Sequence, residues 1–371
     1  MVEGLNMIYI LLFFIFAFSM ILDLIIISQV SKKIICLVML IGLILVSGMR
    51  WNVGPDWDSY YFFFVDYEQY RDGVYINMLE PGYTLLNGLV RTVSDNYTFF
   101  LFFIALLTIG IKFFVFIKHI KIIFVIIFFY YCYYLADVSS VRQFTSLSFT
   151  LLSSIYIVKK KPFAFIILVA IASTIHISCI AFFGAYWIYH QKINDSVLIT
   201  ILIISFMIGF LNISEVMMGK LISLMGNSSV YAEKLLKYSD SGIESANSNP
   251  YLSFVLGAVK RAIIIPLLFY FKNKIDPEDQ EKFRGYLNLL VVGNVIYFLF
   301  IISFPEVTRL SVSYLYFEIF LLALVLVSIK DLMLRFCLLG IMIVFGAFRL
   351  YSFMAPFLDL YVPYKTFLSY L

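Results

Sequence analysis

Charged residues are scarce in this chain. Of its 371 residues only 13% are Asp, Glu, Lys or Arg, whereas a soluble domain carries roughly 25%. Hydrophobic residues make up 63%, and the mean hydropathy is +0.97. No water-soluble core absorbs so much apolar surface, so the composition excludes a soluble globular protein. It predicts an all-α polytopic membrane protein, with the lipid bilayer as its solvent.

Cysteine and histidine are also few, which removes two common kinds of site. There are three histidines and four cysteines, and no two cysteines form a CxxC pair. Each cysteine lies inside an apolar run, which is typical of a small buried side chain. We therefore predict no metal site, no disulfide and no cofactor. The net charge of +4 is small, and we expect no nucleic-acid partner.

Apolar runs of about 17–25 residues indicate the membrane spans. No A-x-A-like cleavage site follows the first run, so we expect it to be a mature span rather than a signal peptide. The candidates are 7–29, 34–49, 97–117, 122–136, 140–158, 196–212, 251–271, 286–304, 309–329 and 334–353.

The run 162–190 is too long for a typical single helix and has a polar centre at His176. It is either one tilted helix or a hairpin of two short helices that meet near His176. Basic residues collect on the cytoplasmic side of membrane proteins, and only the hairpin brings Lys192 and the loop 272–284 to that side. We therefore predict about twelve membrane segments with one broken hairpin, in a single membrane domain over residues 1–371.

Two long loops are then expected on the outer side, at 50–96 and 213–250. In the first, residues 60–67 are too short and too polar at their ends to span, so we predict an interfacial helix. The second loop is either a lid or a solvated connection.

Arginine follows an unusual distribution in this topology. The predicted inner side holds thirteen lysines but only Arg284 and Arg335, whereas seven arginines fall in the outer half. Arginine keeps its charge in any environment and offers a planar fork to phosphate or carboxylate oxygens. We infer an outward-facing site for an anionic lipid head group. The seven are Arg50, Arg71, Arg91, Arg142, Arg261, Arg309 and Arg349.

Three of these arginines lie at membrane depth or at the start of a span. Arg142 opens a helix that Ser139 or Ser140 could cap. Its side chain either binds an anion or forms an ion pair with Asp137. Arg261 stands in the middle of a span and is expected to face a polar cavity, the alternative being an outward-snorkelling side chain. Arg309 either binds substrate or pairs with Glu306.

His176 and two aspartates are the candidates for proton transfer or metal binding. His176 is either a hydrogen-bonded core residue or a base or phosphate ligand, since its usual pKa near 6.5 suits proton transfer. Asp56 and Asp58 form a short acidic pair after Gly54-Pro55. A solvated turn with Arg50 paired to Asp56 is the favoured interpretation there, and a divalent metal site is the alternative.

Taken in chain order, these short motifs resemble the EpsG family of Wzy-type polysaccharide polymerases. The resemblance covers most of the chain. The matching segments are Arg50 with Val53-Gly54, Asp56 through Tyr60, Glu80-Pro81-Gly82-Tyr83, Val141-Arg142-Gln143, Ile175-His176-Ile177-Ser178, Arg309 with Tyr314, and Val362-Pro363-Tyr364.

The resemblance implies a GT-C-like fold and a defined activity. The growing glycan would pass from undecaprenyl diphosphate to the next lipid-linked repeat unit, in O-antigen, capsule or exopolysaccharide synthesis. The enzyme would lie in the plasma membrane, the inner membrane of a Gram-negative cell, with its site facing outward. A flippase and a chain-length regulator would be its partners.

The resemblance also suggests roles for individual residues. The diphosphate ligands would be Arg142, Arg261, Arg309 and Arg50. The base would be His176 or, second, Asp56. The substrate contacts would be Glu80, Tyr83, Gln143 and Tyr314.

Two other functions remain open from the residues. A GT-C glycosyltransferase that uses a lipid-monophosphate donor would rely on the Asp56 and Asp58 pair. A lipid-linked oligosaccharide flippase or other transporter would show two-fold internal repeats with broken helices in both halves. We find one broken segment and no second copy.

Overall fold

The computed structural model describes residues 7–25, 28–73, 75, 78–119, 121, 123–216, 220 and 249–370, and over these residues its regular elements are helices, without strands. Its first eleven helices are α1 (Met7–Leu24), α2 (Gln29–Met49), α3 (Trp57–Val65), α4 (Tyr67–Arg71), α5 (Pro81–Arg91), α6 (Tyr97–Ala105), α7 (Ile111–His119), α8 (Ile123–Tyr133), α9 (Ala136–Ser139), α10 (Gln143–Val158) and α11 (Pro162–Ile175). The others are α12 (Ala185–His190), α13 (Asp195–Phe210), α14 (Pro250–Lys272), α15 (Gln280–Phe300), α16 (Arg309–Leu315), α17 (Phe317–Ser328), α18 (Leu332–Met354) and α19 (Leu358–Tyr361).

Seven helical segments of the described chain are long and apolar enough to cross a membrane, and five shorter apolar helices accompany them. The all-α polytopic class is therefore confirmed, and these segments are consistent with the prediction of about twelve membrane segments. The long ones are Met7–Leu24, Gln29–Met49, Tyr97–Lys118, Pro250–Lys272, Gln280–Phe300, Pro305–Ser328 and Leu332–Tyr361. The shorter ones are Ile123–Tyr133, Gln143–Val158, Pro162–Ile175, Ile177–His190 and Asp195–Phe210.

Local signals in the sequence set several helix starts. Asn96 accepts hydrogen bonds from the backbone N–H groups of Thr98 and Phe99 at the start of α6. Asp331 accepts one from Leu334 at the start of α18, at 2.7 Å. Proline occupies the first turn of α5, α11 and α14, where its missing N–H would have had no helical partner.

The chain divides into two compact units, Met1–Ile180 with Leu326–Leu371, and Ala181–Val325. In the first unit every residue of α8 is buried. The Tyr131 hydroxyl in α8 donates to the Tyr9 carbonyl in α1 at 2.8 Å. Because α8 has 11 residues, it is about 16 Å long. It is therefore shorter than the predicted span 122–136 and is enclosed by protein rather than lipid.

The predicted helix after Arg50 is present as α3, although it begins earlier than expected. Its residues Trp57, Tyr60 and Phe64 are buried in a cluster that also holds Tyr83 and Tyr97. Ring centroids of Trp57 and Tyr97 lie 5.5 Å apart in an edge-to-face arrangement. The helix is thus anchored on its own unit by aromatic packing.

A tail strap, residues 358–366, holds the turn between α2 and α3. The Trp51 N–H donates to the Lys365 carbonyl at 2.9 Å, and the Gly54 N–H donates to the Leu360 carbonyl at 2.8 Å. The Tyr364 hydroxyl donates to the Val46 carbonyl at 2.7 Å. The end of the chain therefore fixes the turn that carries Asp56.

The second unit packs α12, α13 and α14 against α15. Asn288 of α15 donates through its side-chain amide to the carbonyls of Ile188 and Gln191, at 3.1 and 2.9 Å. These bonds satisfy carbonyls at the end of α12, which have no helical partner. Lys272 pairs with Asp195 between α14 and α13. The predicted outer loop 213–250 lies almost entirely outside the described residues, and the predicted sidedness of the loops stays a prediction.

Candidate functional site

Arg142 stands at an irregular junction between α9 and α10. Helix α10 begins at Gln143, and Arg142 occupies the position just before it. The predicted capping by Ser139 or Ser140 is wrong, because Arg142 itself is the N-cap residue and no side chain caps the helix; Ser139 belongs to α9. Its hydroxyl lies 3.0 Å from that of Tyr361. The arginine therefore projects from a break in the helical path, not from within the first turn.

Glu80 is the partner of Arg142. One carboxylate oxygen lies 3.3 Å from Arg142 Nη1, and the side chains are 19% and 21% exposed. The other oxygen accepts a hydrogen bond from the Ile177 N–H at 3.3 Å. The alternative that the sequence left open, an ion pair of Arg142 with Asp137, is absent, and Asp137 binds Lys112. The segments that contain Glu80, Arg142 and Ile177 are far apart in the sequence, and they thus meet at the Glu80 carboxylate.

The start of α5 approaches the end of α11 closely. A Cβ atom added at Gly82 would meet the Thr174 hydroxyl and lie 2.8 Å from the Thr174 carbonyl oxygen. Any larger residue would push the two helices apart. Glycine at this position therefore allows Glu80 to reach the Ile177 N–H.

The aromatic rings of Tyr83 and Tyr60 pack next to the Arg142–Glu80 pair. Tyr83 is completely buried, and burial raises the pKa of its phenol well above the usual value. Its ring meets that of Tyr60 edge to face, with centroids 5.9 Å apart. The Arg142 guanidinium lies 5.9 Å from the Tyr60 ring centroid. These contacts place Tyr83 next to the Arg142–Glu80 pair through Tyr60, and its role as a substrate contact stays a prediction.

His176 interrupts the helical path between α11 and the 3-10 helix Ile177–Gly184, which confirms the predicted break. Its Nδ1 accepts from the Ser178 N–H at 3.3 Å and lies 2.8 Å from the Ser178 hydroxyl. A neutral imidazole that accepts at Nδ1 carries its proton on Nε2. In that tautomer His176 is a hydrogen-bond donor, one residue away from the Glu80–Ile177 contact.

Arg50 does not reach this site. Its side chain is 2% exposed, and Nη1 donates to the carbonyls of Ser47 and Val138 at 2.7 and 2.8 Å. A guanidinium enclosed in this way presents little surface to a diphosphate, and the role of Arg50 as a diphosphate ligand stays a prediction. The favoured Arg50–Asp56 pair is likewise absent from the described contacts. Arg50 holds the segment before Arg142 against α2.

Asp56 and Asp58 are exposed at the start of α3. Asp56 has a positive φ of 61° and stands at the N-cap position without a side-chain capping bond. Neither carboxylate makes a described contact with the Arg142–Glu80 pair. Gln143 is half-buried at the first position of α10, beside Arg142, which keeps it available as a substrate contact.

The remaining predicted residues belong to the second unit. Arg309 pairs with Glu306 at 2.6 Å, the alternative that the sequence left open. The Tyr314 hydroxyl is buried and donates to the Ala181 carbonyl at 2.6 Å. That bond engages the hydroxyl within the protein, and the role of Tyr314 as a substrate contact stays a prediction.

Arg261 is enclosed within the second unit. Its guanidinium stacks on the Tyr297 ring at 3.6 Å and donates to the Asn294 side chain and to the Gly257 carbonyl. The cavity beside it, of about 680 Å³, is otherwise lined by apolar residues such as Phe206 and Ile265. The predicted polar cavity is therefore wrong, and the polar environment comes from α15.

Several charged pairs were not predicted from the sequence. Lys112 and Asp137 form a fully buried pair, and Lys260 lies 3.1 Å from Glu318. An acidic residue inside an apolar run, such as Glu318 in α17, is the one signal that could have predicted a buried cation beside it. In the described ranges no three His, Cys, Asp or Glu side chains gather as metal ligands.

The described chain is thus a polytopic helical membrane protein with a half-buried arginine–carboxylate pair at a helix break. The model of the EpsG family matches residues 33–366, and the chain belongs to that family. Membership indicates a polymerase-type role in the synthesis of exopolysaccharide or O-antigen. Curated proteins and solved structures gave no match to the chain, so the GT-C-like fold stays a prediction.

Proposed function

We propose that this protein polymerises undecaprenyl-diphosphate-linked oligosaccharide repeat units at the outer face of the plasma membrane. A hydroxyl of the incoming lipid-linked unit attacks the anomeric carbon of the growing glycan. The bond from that carbon to the diphosphate oxygen breaks, and undecaprenyl diphosphate leaves with the electron pair. The growing glycan is then carried by the new lipid.

The observation that carries this proposal is the meeting of three motifs at Glu80. The carboxylate contacts Arg142 from the start of α10 and the N–H of Ile177 from the break after α11. Both helix junctions interrupt apolar runs, where charge is costly unless it has a function or a partner. Such an arrangement suits a reaction in which negative charge develops at one point.

Arg142 has donor capacity left for an anion. Its separation of 3.3 Å from Glu80 is longer than a tight charge-assisted bond of about 2.7–2.9 Å. Its Nε is buried and has no hydrogen-bond partner in the described chain. A diphosphate oxygen at the accessible part of this side chain, which is 21% exposed, would meet a preorganised cation as the leaving group takes up charge.

His176 and Glu80 complete the proposed chemistry. With its proton on Nε2, His176 donates a hydrogen bond to the diphosphate, one of the two roles expected from the sequence. Glu80 is the base that takes the proton of the acceptor hydroxyl. From the sequence, His176 or Asp56 was the predicted base. A carboxylate is an effective base when it lies within hydrogen-bond reach of the proton. Gln143, beside Arg142, remains a candidate substrate ligand, and the role of Arg309 stays a prediction.

The test is deletion of the gene in its own host, with the surface glycan separated on a gel. Plasmids return the wild type, Arg142→Ala, or the control Arg284→Ala. Arg284 is also a half-buried arginine, but it lies near the start of α15, in the segment 272–284 that is predicted to be cytoplasmic. We expect single repeat units in the deletion strain, and a long ladder restored by wild type and control but not by Arg142→Ala.

Other gel patterns would contradict the proposal. Loss of every repeat unit from the surface would indicate a flippase or an earlier step. A ladder that persists with one sugar missing from each unit would indicate a glycosyltransferase that adds a side branch, and attention would move to Asp56 and Asp58. Reporter fusions in the loop 272–284 test the sidedness, which requires that loop to be cytoplasmic.

A further inference from the structure

A pocket of about 540 Å³ lies at the end of α5 remote from Glu80. Its volume is within the range of about 300–1,000 Å³ that is typical of small-molecule sites. We call it the α5-end pocket. It is lined by Tyr67, Glu68, Arg71, Leu85, Gly88, Leu89, Arg91, Thr92 and Asp95.

The lining combines groups of both charges with an aromatic ring. Arg71 and Arg91 supply guanidinium donors, and Glu68 and Asp95 supply carboxylate acceptors. Because donors and acceptors lie side by side, the pocket is suited to a ligand that itself both donates and accepts hydrogen bonds. Neutral saccharides present such hydroxyls in dense array, together with C–H faces that pack on aromatic and aliphatic side chains.

Arg91 is held rigidly in this pocket. Its Nη1 donates to the carbonyls of Phe64 and Val65 at 2.6 and 2.7 Å. Its Nη2 lies 3.3 Å from Asp95, and the guanidinium lies 5.9 Å from the Tyr67 ring centroid. Groups fixed before binding lose little conformational freedom when a ligand arrives.

Tyr67 and Arg71 form the opposite wall. A Cβ atom at Gly88 would meet the Tyr67 hydroxyl and lie 3.0 Å from its Cζ atom, so glycine there lets Tyr67 close over α5. Arg71 lies 5.5 Å from the same ring and pairs with Asp72. That pair is about half exposed, with side chains 49% and 61% accessible. Such surface ion pairs contribute little to the stability of the folded protein. A ligand therefore replaces them at a small cost in free energy.

The pocket and the Arg142–Glu80 pair lie at the two ends of one helix. Helix α5 has 11 residues, which corresponds to about 16 Å. Leu85 and Leu89 are exposed between the two ends, four residues apart and therefore on the same helix face. An oligosaccharide with its diphosphate end at Arg142 could extend along that face to the pocket.

We propose that the α5-end pocket binds a sugar of the lipid-linked repeat unit remote from the reacting bond, and so selects the glycan. The inference rests on the proposed function. It assigns to Glu68, Arg71, Arg91 and Asp95 the recognition of neutral saccharide hydroxyls. The lipid and its diphosphate are left to the Arg142 end of α5.

The test uses the full-length protein in lipid nanodiscs. The probe is the repeat-unit oligosaccharide released from the host's own surface glycan by mild acid, without lipid or phosphate. Its binding is followed by saturation-transfer NMR and calorimetry. We expect Glu68→Gln with Arg71→Gln to weaken binding about tenfold, the loss expected for hydrogen bonds to charged groups. Gly88→Ala is expected to weaken it too.

The controls separate recognition from folding. Glu278→Gln changes an exposed carboxylate of the second unit and is expected to leave binding unchanged. Thermal unfolding of each variant checks that the fold is intact. If Glu68→Gln with Arg71→Gln fails to fold, Asp95→Asn gives an independent variant, because that carboxylate is 79% exposed.

Two results would overturn the inference. One is unchanged oligosaccharide binding in folded pocket variants. The other is displacement of the oligosaccharide by undecaprenyl diphosphate without sugar, which would indicate a head-group site. The gene deletion decides the proposed function separately. If the deletion strain keeps its long glycan, the polymerase proposal fails, while binding to the purified protein still reports on the pocket.

Discussion

Lys112 and Asp137 form an ion pair whose two side chains are completely buried within the first unit. Lys112 also donates to the Phe144 carbonyl at 3.0 Å, in the first turn of α10. The pair therefore connects α7 to both sides of the break that carries Arg142. The pair affects the site only by holding these elements in place, because neither side chain is exposed to a ligand.

Removal of one member of this pair should destabilise the protein strongly. Lys112→Met leaves the Asp137 carboxylate buried without its cation, which typically costs about 3–5 kcal/mol. We expect a sharp fall in the amount of folded protein in the membrane, measured by fluorescence-detected size exclusion. The double variant Lys112→Met with Asp137→Leu should recover much of it. Equal loss in the single and double variants would contradict this account.

Arg142 should tolerate no replacement by lysine. A lysine keeps the charge but loses the planar fork that engages two oxygens at once. We expect Arg142→Lys to reduce the rate of chain elongation by about 10²–10³-fold, the range seen when one preorganised donor is removed. The measurement is glycan length against time after induction. Wild-type elongation by this variant would exclude the fork as the important feature.

Glu80→Gln should separate binding from catalysis. The amide oxygen can still accept from the Ile177 N–H, so the junction stays in place, but the amide cannot take a proton. We expect the variant to bind lipid-linked substrate and to fail in polymerisation. Binding is measured in nanodiscs and elongation by the gel ladder. Normal elongation would show that the proton goes elsewhere, with Asp56 as the next candidate.

Gly82→Ala should damage the same site without altering any charge. Its methyl group would collide with the Thr174 carbonyl oxygen, which no side-chain change at position 174 can remove. We expect the ladder to shorten markedly while Arg142 and Glu80 remain. Gly340→Ala is a suitable control, because no atom lies within 4 Å of a Cβ placed there. Shortening by both variants would point to a general effect on the membrane helices.

Activity should not depend on a divalent metal. Arginine is the group that we propose to neutralise the leaving diphosphate, so a chelator should leave elongation intact in membrane preparations. EDTA is the reagent, and glycan length is the readout. Loss of activity that magnesium or manganese restores would instead assign Asp56 and Asp58 to metal binding.

Hydropathy predicted the class and the number of apolar segments because lipid imposes a length and a composition on each span. The break at His176 was also predictable, since its run was too long and had a polar centre. The partners of the charged residues could not be predicted from the sequence. Asp137 is five residues from Arg142 and was the obvious candidate, but it faces Lys112. Glu80 comes from another helix, and nothing local in the sequence encodes its approach.

The burial of individual arginine side chains could not be predicted from the sequence either. Arg50 and Arg142 both stand at the end or start of an apolar run, and both suggested anion ligands. Their difference arises from tertiary packing: Val138 closes over Arg50, whereas Arg142 keeps part of its guanidinium accessible. A single sequence reports which residue types are present at a boundary, but not which of them the neighbouring elements cover.

The tail strap also has a consequence for biosynthesis. The Tyr364–Val46 bond joins residues 318 positions apart, and at about 5–20 residues per second the ribosome needs on the order of tens of seconds to travel between them. During that interval α2 has already been made, while the turn after it lacks the backbone partners that Leu360 and Lys365 will supply. Completion of the Asp56 turn is therefore a late, post-insertion event, and a release of the nascent chain before residue 358 would leave that turn unfinished in an otherwise inserted protein.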